Sequence, residues 1–335
     1  MTVKIKVGII GASGYTGLEL LKILIYHPTF ELSYVANSTG GVSVDELHPA
    51  LKSICALDVK KADVDECALS CDLVFLALPH KTSMAYVKPL MKKGIKIVDF
   101  SADYRLTQDV YEEYYCEHTD PVNLMNVVYG LPELFREEIK TASLIANPGC
   151  YPTSAILGLL PFMDVRIKNT PIIIDAKTGV SGAGKKLSES TNFVNVNDNM
   201  FAYKPFTHRH APEISQKLGI DFDEVNFIPH LVPITRGMLS SIYIQVDKNI
   251  DAYNILEEFY KSEASVRVFK EPVNMKNVAG TNFCDIFVKQ KGATLFISSA
   301  VDNLMRGASS QAVVNANIMM GIRELSGVSD IAYVP

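Results

Sequence analysis

Residues 4 to 17 read Lys4-Ile5-Lys6-Val7-Gly8-Ile9-Ile10-Gly11-Ala12-Ser13-Gly14-Tyr15-Thr16-Gly17. The run Lys4 to Ile10 is a buried strand by its apolar content, glycines recur at 8, 11, 14 and 17, and Leu18 to Tyr26 is an apolar-periodic helix. Strand, glycine turn and helix make a βα unit. Glycine lets the backbone approach a pyrophosphate, which is held by the free N–H groups and dipole of the helix N-terminus. The stretch is not a strict GxGxxG, and its strand-to-helix context is what points to a dinucleotide. Gly11, Ser13, Gly14, Tyr15, Thr16 and Gly17 are its candidate cofactor-binding residues.

Outward from this turn, strands are expected at Glu31–Ala36, Asp72–Ala77 and Lys96–Phe100, alternating with helices such as Thr82–Lys93. That alternation is the pattern of an α/β, Rossmann-type doubly wound parallel sheet. A further strand, Ser143–Ala146, enters the turn Asn147-Pro148-Gly149-Cys150, and a helix, Thr153–Leu160, leaves it. Beyond it, strand-like runs at Ile172–Asp175, Val225–Pro229, Leu239–Val246 and Thr294–Ala300, with a helix near Ala252–Glu263, read as a mixed α+β domain. The expected division is a cofactor domain over 1–149 and a catalytic and oligomerisation domain over 150–307. The last helical run, Ala308–Leu325, reads as amphipathic, and the segment 308–335 is expected to pack back on the first domain.

The bulk properties fit two globular domains. The chain has 335 residues, 48% hydrophobic and 21% charged, with a net charge of −5. No Lys/Arg run supplies a footprint for nucleic acid or an anionic membrane, so small-molecule chemistry is expected. The first apolar run is far short of a membrane span and lacks a signal-peptide layout, which favours the cytoplasm. Six scattered cysteines, at 55, 67, 71, 116, 150 and 284, form no CxxC pair. A disulfide framework is therefore disfavoured, and no metal is expected.

Specificity between NAD and NADP is commonly set at the end of the second strand, where an acid would hold the ribose 2′-OH. This chain offers Asn37, Ser38 and Thr39 there. With no carboxylate to repel a 2′-phosphate, NADP is expected, with Ser38 beside it.

Cys150 differs in context from the other cysteines. It sits between Gly149 and Tyr151-Pro152 at a strand-to-helix turn that can place its sulfur at a helix N-terminus, where the thiolate is favoured. His208 and His210 bracket Arg209 and precede Glu213, which can orient an imidazole. Either histidine can manage a proton near neutral pH. Ser101 and Arg105 follow the strand Lys96–Phe100 at the carboxyl edge of the sheet, where Arg105 can bind phosphate through two N–H groups. The glycine-rich loop Gly179–Gly184 before Lys185 is a second candidate cradle for phosphate or a nicotinamide.

Taken together these motifs resemble the N-acetyl-γ-glutamyl-phosphate reductase family of arginine biosynthesis, itself related to aspartate-semialdehyde dehydrogenase. The resemblance runs along essentially the whole chain. It is carried by the glycine turn, by Pro148-Gly149-Cys150-Tyr151-Pro152-Thr153 and by Gly179-Val180-Ser181-Gly182-Ala183-Gly184-Lys185. It continues through Thr207-His208-Arg209-His210-Ala211-Pro212-Glu213-Ile214, Pro229-His230-Leu231 to Arg236-Gly237, and Asp302-Asn303-Leu304 leading to Gly307-Ala308. One departure is Ser154, where the family commonly has Gly or Ala.

The resemblance implies that the Cys150 thiolate attacks an acyl phosphate, expels phosphate and leaves a thioester, which hydride from NADPH reduces to an aldehyde. It further implies that the His208 segment faces the cysteine, that Gly182 and Asn303 contact the cofactor, and that Arg105, Ser101, Lys185 and Arg209 serve the substrate or its phosphate. The expected partner is a small acyl phosphate, and the expected assembly a homo-oligomer, dimer or tetramer. Two other readings stand beside this one. A lysine-pathway relative would reduce a longer acyl-aminoadipyl phosphate, and a non-catalytic NADP-binding regulator would keep the glycine turn without need of Cys150.

Overall fold

The computed structural model describes residues 4–247 and 249–334. The chain divides into two compact units, one running up to Pro148 and including Ala308–Val328, the other formed by Gly149–Gly307 and the residues from Ser329 on.

The first unit is built on an eight-stranded sheet: β1 (Ile5–Ile10), β2 (Phe30–Asn37), β3 (Val42–Ser43), β4 (Asp58–Lys61), β5 (Leu73–Leu76), β6 (Lys96–Asp99), β7 (Val128–Tyr129) and β8 (Leu144–Ala146), in the order β3-β4-β2-β1-β5-β6-β8-β7. All neighbours are parallel except β3 and β4. Ile9 and Ile10 of β1, all of β5, and Ile97 and Val98 of β6 are buried, as expected where helices cover both faces. From β1 the chain winds out to β2 and β4 on one side and to β5, β6 and β8 on the other. The crevice beyond the carboxyl ends of β1 and β5 is thus the switch point where such sheets bind ligands.

The helix Ser309–Met319 corrects one expectation. The sequence suggested an amphipathic helix over Ala308–Leu325, yet every residue from Ser309 to Met319 is buried. Its polar side chains are engaged inside the unit: Gln311 and Asn315 both donate to the Gly130 carbonyl, Asn315 also to Asn147 Oδ1 at 3.1 Å, and Asn317 to the carbonyls of Glu324 and Ser326. Buried amides with partners are indistinguishable in sequence from a solvent face. The tail also differs from expectation. Asn282 N–H donates to the Ser329 carbonyl and Tyr333 N–H to that of Ala279, so residues 329–334 lie with the second unit.

The second unit carries a mixed seven-stranded sheet: β9 (Ile172–Gly179), β10 (Phe201–Ala202), β11 (Val225–Val232), β12 (Met238–Gln245), β13 (Val266–Phe269), β14 (Cys284–Lys291) and β15 (Thr294–Val301), in the order β10-β11-β9-β12-β15-β14-β13. Burial alternates along β9, β11 and β12, the signature of a sheet with one face packed on a core. The helix Cys150–Leu159 packs on β12 and β15. β14 went unread because Asp285 interrupts its apolar run. In the fold that carboxylate is buried and accepts two bonds from Arg267, at 2.6 and 2.8 Å.

Candidate active site

The glycine turn is tightly packed at two of its glycines and open at a third. Gly11 has φ +100°, and a Cβ there would lie 2.2 Å from the Ala77 carbonyl oxygen; at Gly17 it would lie 2.7 Å from the carbonyl oxygens of Gly11 and Ala12. These glycines allow β1, the end of β5 and the helix Tyr15–Leu24 to meet. Gly14 is different, because a Cβ there would find nothing nearer than 3.9 Å. It caps the helix in extended conformation without a side-chain cap, and no acid follows in the first turn. The N–H groups of that turn therefore border open space, a cradle that fits a dinucleotide phosphate. Asn37 Nδ2 donates to Ser13 Oγ at 3.0 Å, and its Oδ1 accepts from the N–H groups of Thr39 and Gly40. Ser38 is exposed at the tip of this loop, while Tyr15 and Thr16 line the start of the helix.

Two phosphate candidates turn out to be enclosed. Ser101 is fully buried and donates to Asp99 Oδ2 at 2.6 Å. Arg105 is 5% exposed, with Nε donating to the Asn147 carbonyl at 2.8 Å and Nη2 to that of Phe100 at 2.6 Å. Both hold the loop after β6. Asp99, the acceptor for Ser101, also takes a bond from Ser83 Oγ; burial pushes its carboxyl up to about 6 despite these donors.

In the second unit Cys150 opens the helix Cys150–Leu159 as its first residue. Gly149 caps that helix in extended conformation, again with no side-chain cap and no acid in the first turn. Its N–H donates to Glu213 Oε1 at 2.9 Å, and Glu213 is 1% exposed. A carboxylate on the helix Ala211–Leu218 therefore fixes the turn that carries the sulfur. Gly307 completes the approach, since a Cβ there would lie 2.7 Å from Cys150 Cβ. The Ser154 hydroxyl, the departure from the family pattern, is absorbed in a buried cluster, donating to Ser240 Oγ at 2.9 Å and Ser299 Oγ at 3.1 Å.

His208 stands in an aromatic box. Its ring makes edge contacts with Tyr151, Tyr203, Phe227 and His210, with centroids 4.8 to 5.7 Å away. Burial, aided by Lys204 and Arg209, lowers its pKa to about 4. Nδ1 accepts the His210 N–H at 3.2 Å, so the neutral ring carries its hydrogen on Nε2. His210 caps the helix Ala211–Leu218 and its ring also meets Tyr151. Tyr151 and Tyr203, unread in the sequence, share a hydroxyl bond of 3.0 Å. Burial raises Tyr203 to about 12. Among the other candidates of this unit, Asn303 is buried, donating to Ser181 Oγ and accepting from Gly237 N–H, whereas Gly182 and Lys185 are exposed.

Comparison with known proteins agrees with this anatomy. The models for the semialdehyde dehydrogenase NAD binding domain and the semialdehyde dehydrogenase dimerisation domain match residues 6–142 and 150–303. A curated N-acetyl-γ-glutamyl-phosphate reductase of Sulfurimonas denitrificans is 70% identical, covering 99% of each chain. Another, from Sulfurovum sp., is 54% identical over 99% of this chain and 100% of its own. The crystal structure of aspartate semialdehyde dehydrogenase II from Vibrio cholerae complexed with ASA shares the fold, with a TM-score of 0.72 at 17% identity over 95% of this chain and 98% of its own. On these grounds the chain belongs to the N-acetyl-γ-glutamyl-phosphate reductase family, oxidoreductases with a Rossmann-type semialdehyde dehydrogenase cofactor domain.

Proposed function

We propose that this protein reduces N-acetyl-γ-glutamyl phosphate to N-acetylglutamate semialdehyde and phosphate in arginine biosynthesis, using NADPH and a thioester on Cys150. The observation that carries the chemistry is Cys150 as first residue of the helix that opens after Gly149, next in the chain to Tyr151, whose ring meets His208. The positive end of the helix dipole favours a thiolate at the first residue of the helix. The substrate assignment follows the similar reductases of Sulfurimonas denitrificans and Sulfurovum sp., whose names specify the glutamyl phosphate.

The Cys150 thiolate attacks the acyl carbon, the acyl–oxygen bond breaks, and phosphate departs with the bonding electrons. Glu213 keeps the attacking group in place through the Gly149 N–H. Neutral His208 offers Nε2–H to the oxygen that gains charge as the carbonyl becomes tetrahedral, the role of an oxyanion donor. Arg209 is assigned to the substrate carboxylate or phosphate because its guanidinium keeps its charge; Lys185, exposed beyond the glycine loop, is a second cation for the substrate. Bound NADPH supplies the hydride; its pyrophosphate would be held by Gly11, Ser13, Gly14, Tyr15, Thr16 and Gly17, with Gly182 and Asn303 assigned to its nicotinamide end.

No helix among the described residues is long and apolar enough to cross a membrane. We assign the enzyme to the cytoplasm, and the dimerisation model over 150–303 supports a homo-oligomer. The test is phosphate-dependent reduction of NADP by the purified protein with N-acetylglutamate semialdehyde, run beside the aminoadipate homologue. Turnover with the first substrate is expected. Preference for the longer one would transfer the enzyme to lysine synthesis, and no turnover with either would leave only a cofactor-binding protein.

A further inference from the structure

We propose that Lys61 is the cation that reads the 2′-phosphate of NADP, a specificity-determining residue that neither the sequence reading nor the family match names. The inference rests on the NADP assignment above and deepens it.

The loop after β2 is where a Rossmann-type domain meets the adenosine ribose, and here it contains no charged residue from Asn37 to Gly41. Asn37, the residue at the usual ribose-reading position, is already engaged. Its Oδ1 accepts from Thr39 N–H, Gly40 N–H and Thr39 Oγ1, and its Nδ2 reaches Ser13. It shapes the loop and ties it to the glycine turn. The charge that a 2′-phosphate needs must come from another element.

β4 supplies it. Its last residue, Lys61, is in register with Asn37 on the adjacent strand, and Ala62 N–H donates to the Asn37 carbonyl at 2.8 Å. Gly40, at φ +68°, lies so close that a Cβ there would be 2.4 Å from the backbone nitrogen of Lys61. The loop that must receive the phosphate thus rests on the backbone of Lys61. The neighbouring lysine is committed elsewhere, since Lys60 pairs with Glu66 and lies over the Tyr34 ring at 5.9 Å. Lys61 is exposed and makes no ion pair among the described residues. An ammonium with three donors on a flexible stem suits an exposed phosphate approached from solvent.

The experiment is calorimetric titration of the purified full-length protein with NADP and with NAD, comparing wild type, Lys61→Ala and Lys60→Ala. Lys61→Ala is expected to weaken NADP about tenfold, the size of one charge-assisted contact, and to leave NAD unchanged. Lys60→Ala should leave both unchanged, and added salt should weaken NADP binding more in wild type than in Lys61→Ala. NADP binding by Lys61→Ala as tight as that of wild type would overturn the proposal, as would equal loss of both cofactors or an equal effect of Lys60→Ala. Those outcomes leave the NADP assignment standing. A wild type that binds NAD and NADP alike overturns that assignment and Lys61 with it.

Discussion

Two helices in this chain begin in the same way and carry different chemistry. Tyr15–Leu24 follows Gly14 and Cys150–Leu159 follows Gly149, both caps extended (φ −79° and −68°), neither with a side-chain cap or an acid in the first turn. Each helix therefore presents the positive end of its dipole at its first residue, with no cap from the residue before it. What differs is the surroundings. Space is open around Gly14, whereas the Gly149 N–H is taken by Glu213 and Tyr151–Leu159 are all buried. The open end suits an anion arriving from outside; the enclosed end suits one the chain makes itself, the thiolate of its first residue. Burial around a shared backbone device separates a ligand cradle from a nucleophile.

The largest effect that could break this comparison lies at Cys150. Cys150→Ser should lower turnover by at least about 10³-fold, because an alcohol with no strong base beside it is a poor nucleophile. Titration should find NADP affinity intact, and intact mass should show no acyl adduct. Substantial turnover in this variant would mean that the enclosed helix end does not carry the nucleophile.

Next comes the donor beside it. His208→Ala should cost about 10²- to 10³-fold in kcat, as the loss of an oxyanion donor does, while His208→Gln, which still offers an N–H, retains more. His210→Asn should be milder than His208→Ala. Steady-state kinetics showing the reverse order would move the oxyanion-donor role to His210.

At the open end, Gly14→Asp puts a carboxylate where the pyrophosphate is assigned. Asp is a good N-cap, so the melting temperature should hold or rise slightly, while NADP affinity falls at least about tenfold by charge repulsion. Unimpaired NADP binding in a folded Gly14→Asp protein would remove the phosphate from this helix end.

The smallest effects are in stability against pH, and the two units should respond in opposite senses. Burial raises Asp99 from the ordinary 3.8 to about 6, so its contribution is complete below about 4 and is lost as pH rises through 6. Burial lowers His208 from 6.5 to about 4, so its contribution is complete above 6.5 and is lost as pH falls towards 4. Calorimetry of Asp99→Asn should remove the loss on the rising limb and add on the order of 2 kcal/mol at neutral pH. His208→Gln should flatten the acidic limb instead. If neither variant alters its own limb, these groups are not held in the protonation states their burial implies.

The sequence by itself determined the parts of this protein whose cause is local. The strand, glycine turn and helix from Ile5 to Leu24 were legible because backbone requirements at Gly11 and Gly17 and a 3.6-residue apolar period are written in consecutive residues. Cys150 was legible for the same reason, a Gly-Cys-Tyr-Pro turn ahead of an apolar run. Only the tertiary structure decided what depends on distant partners. It turned the polar residues of Ser309–Met319 inward onto Gly130, Asn147, Glu324 and Ser326. It buried Asp285 against Arg267 inside a strand that looked interrupted, and it engaged Arg105 with two carbonyls of its own unit. It also brought Tyr203 to Tyr151 and laid the loop after β2 on the backbone of Lys61. A polar side chain carries the same letters whether water or a buried partner satisfies it, and which of the two holds is set by elements far along the chain.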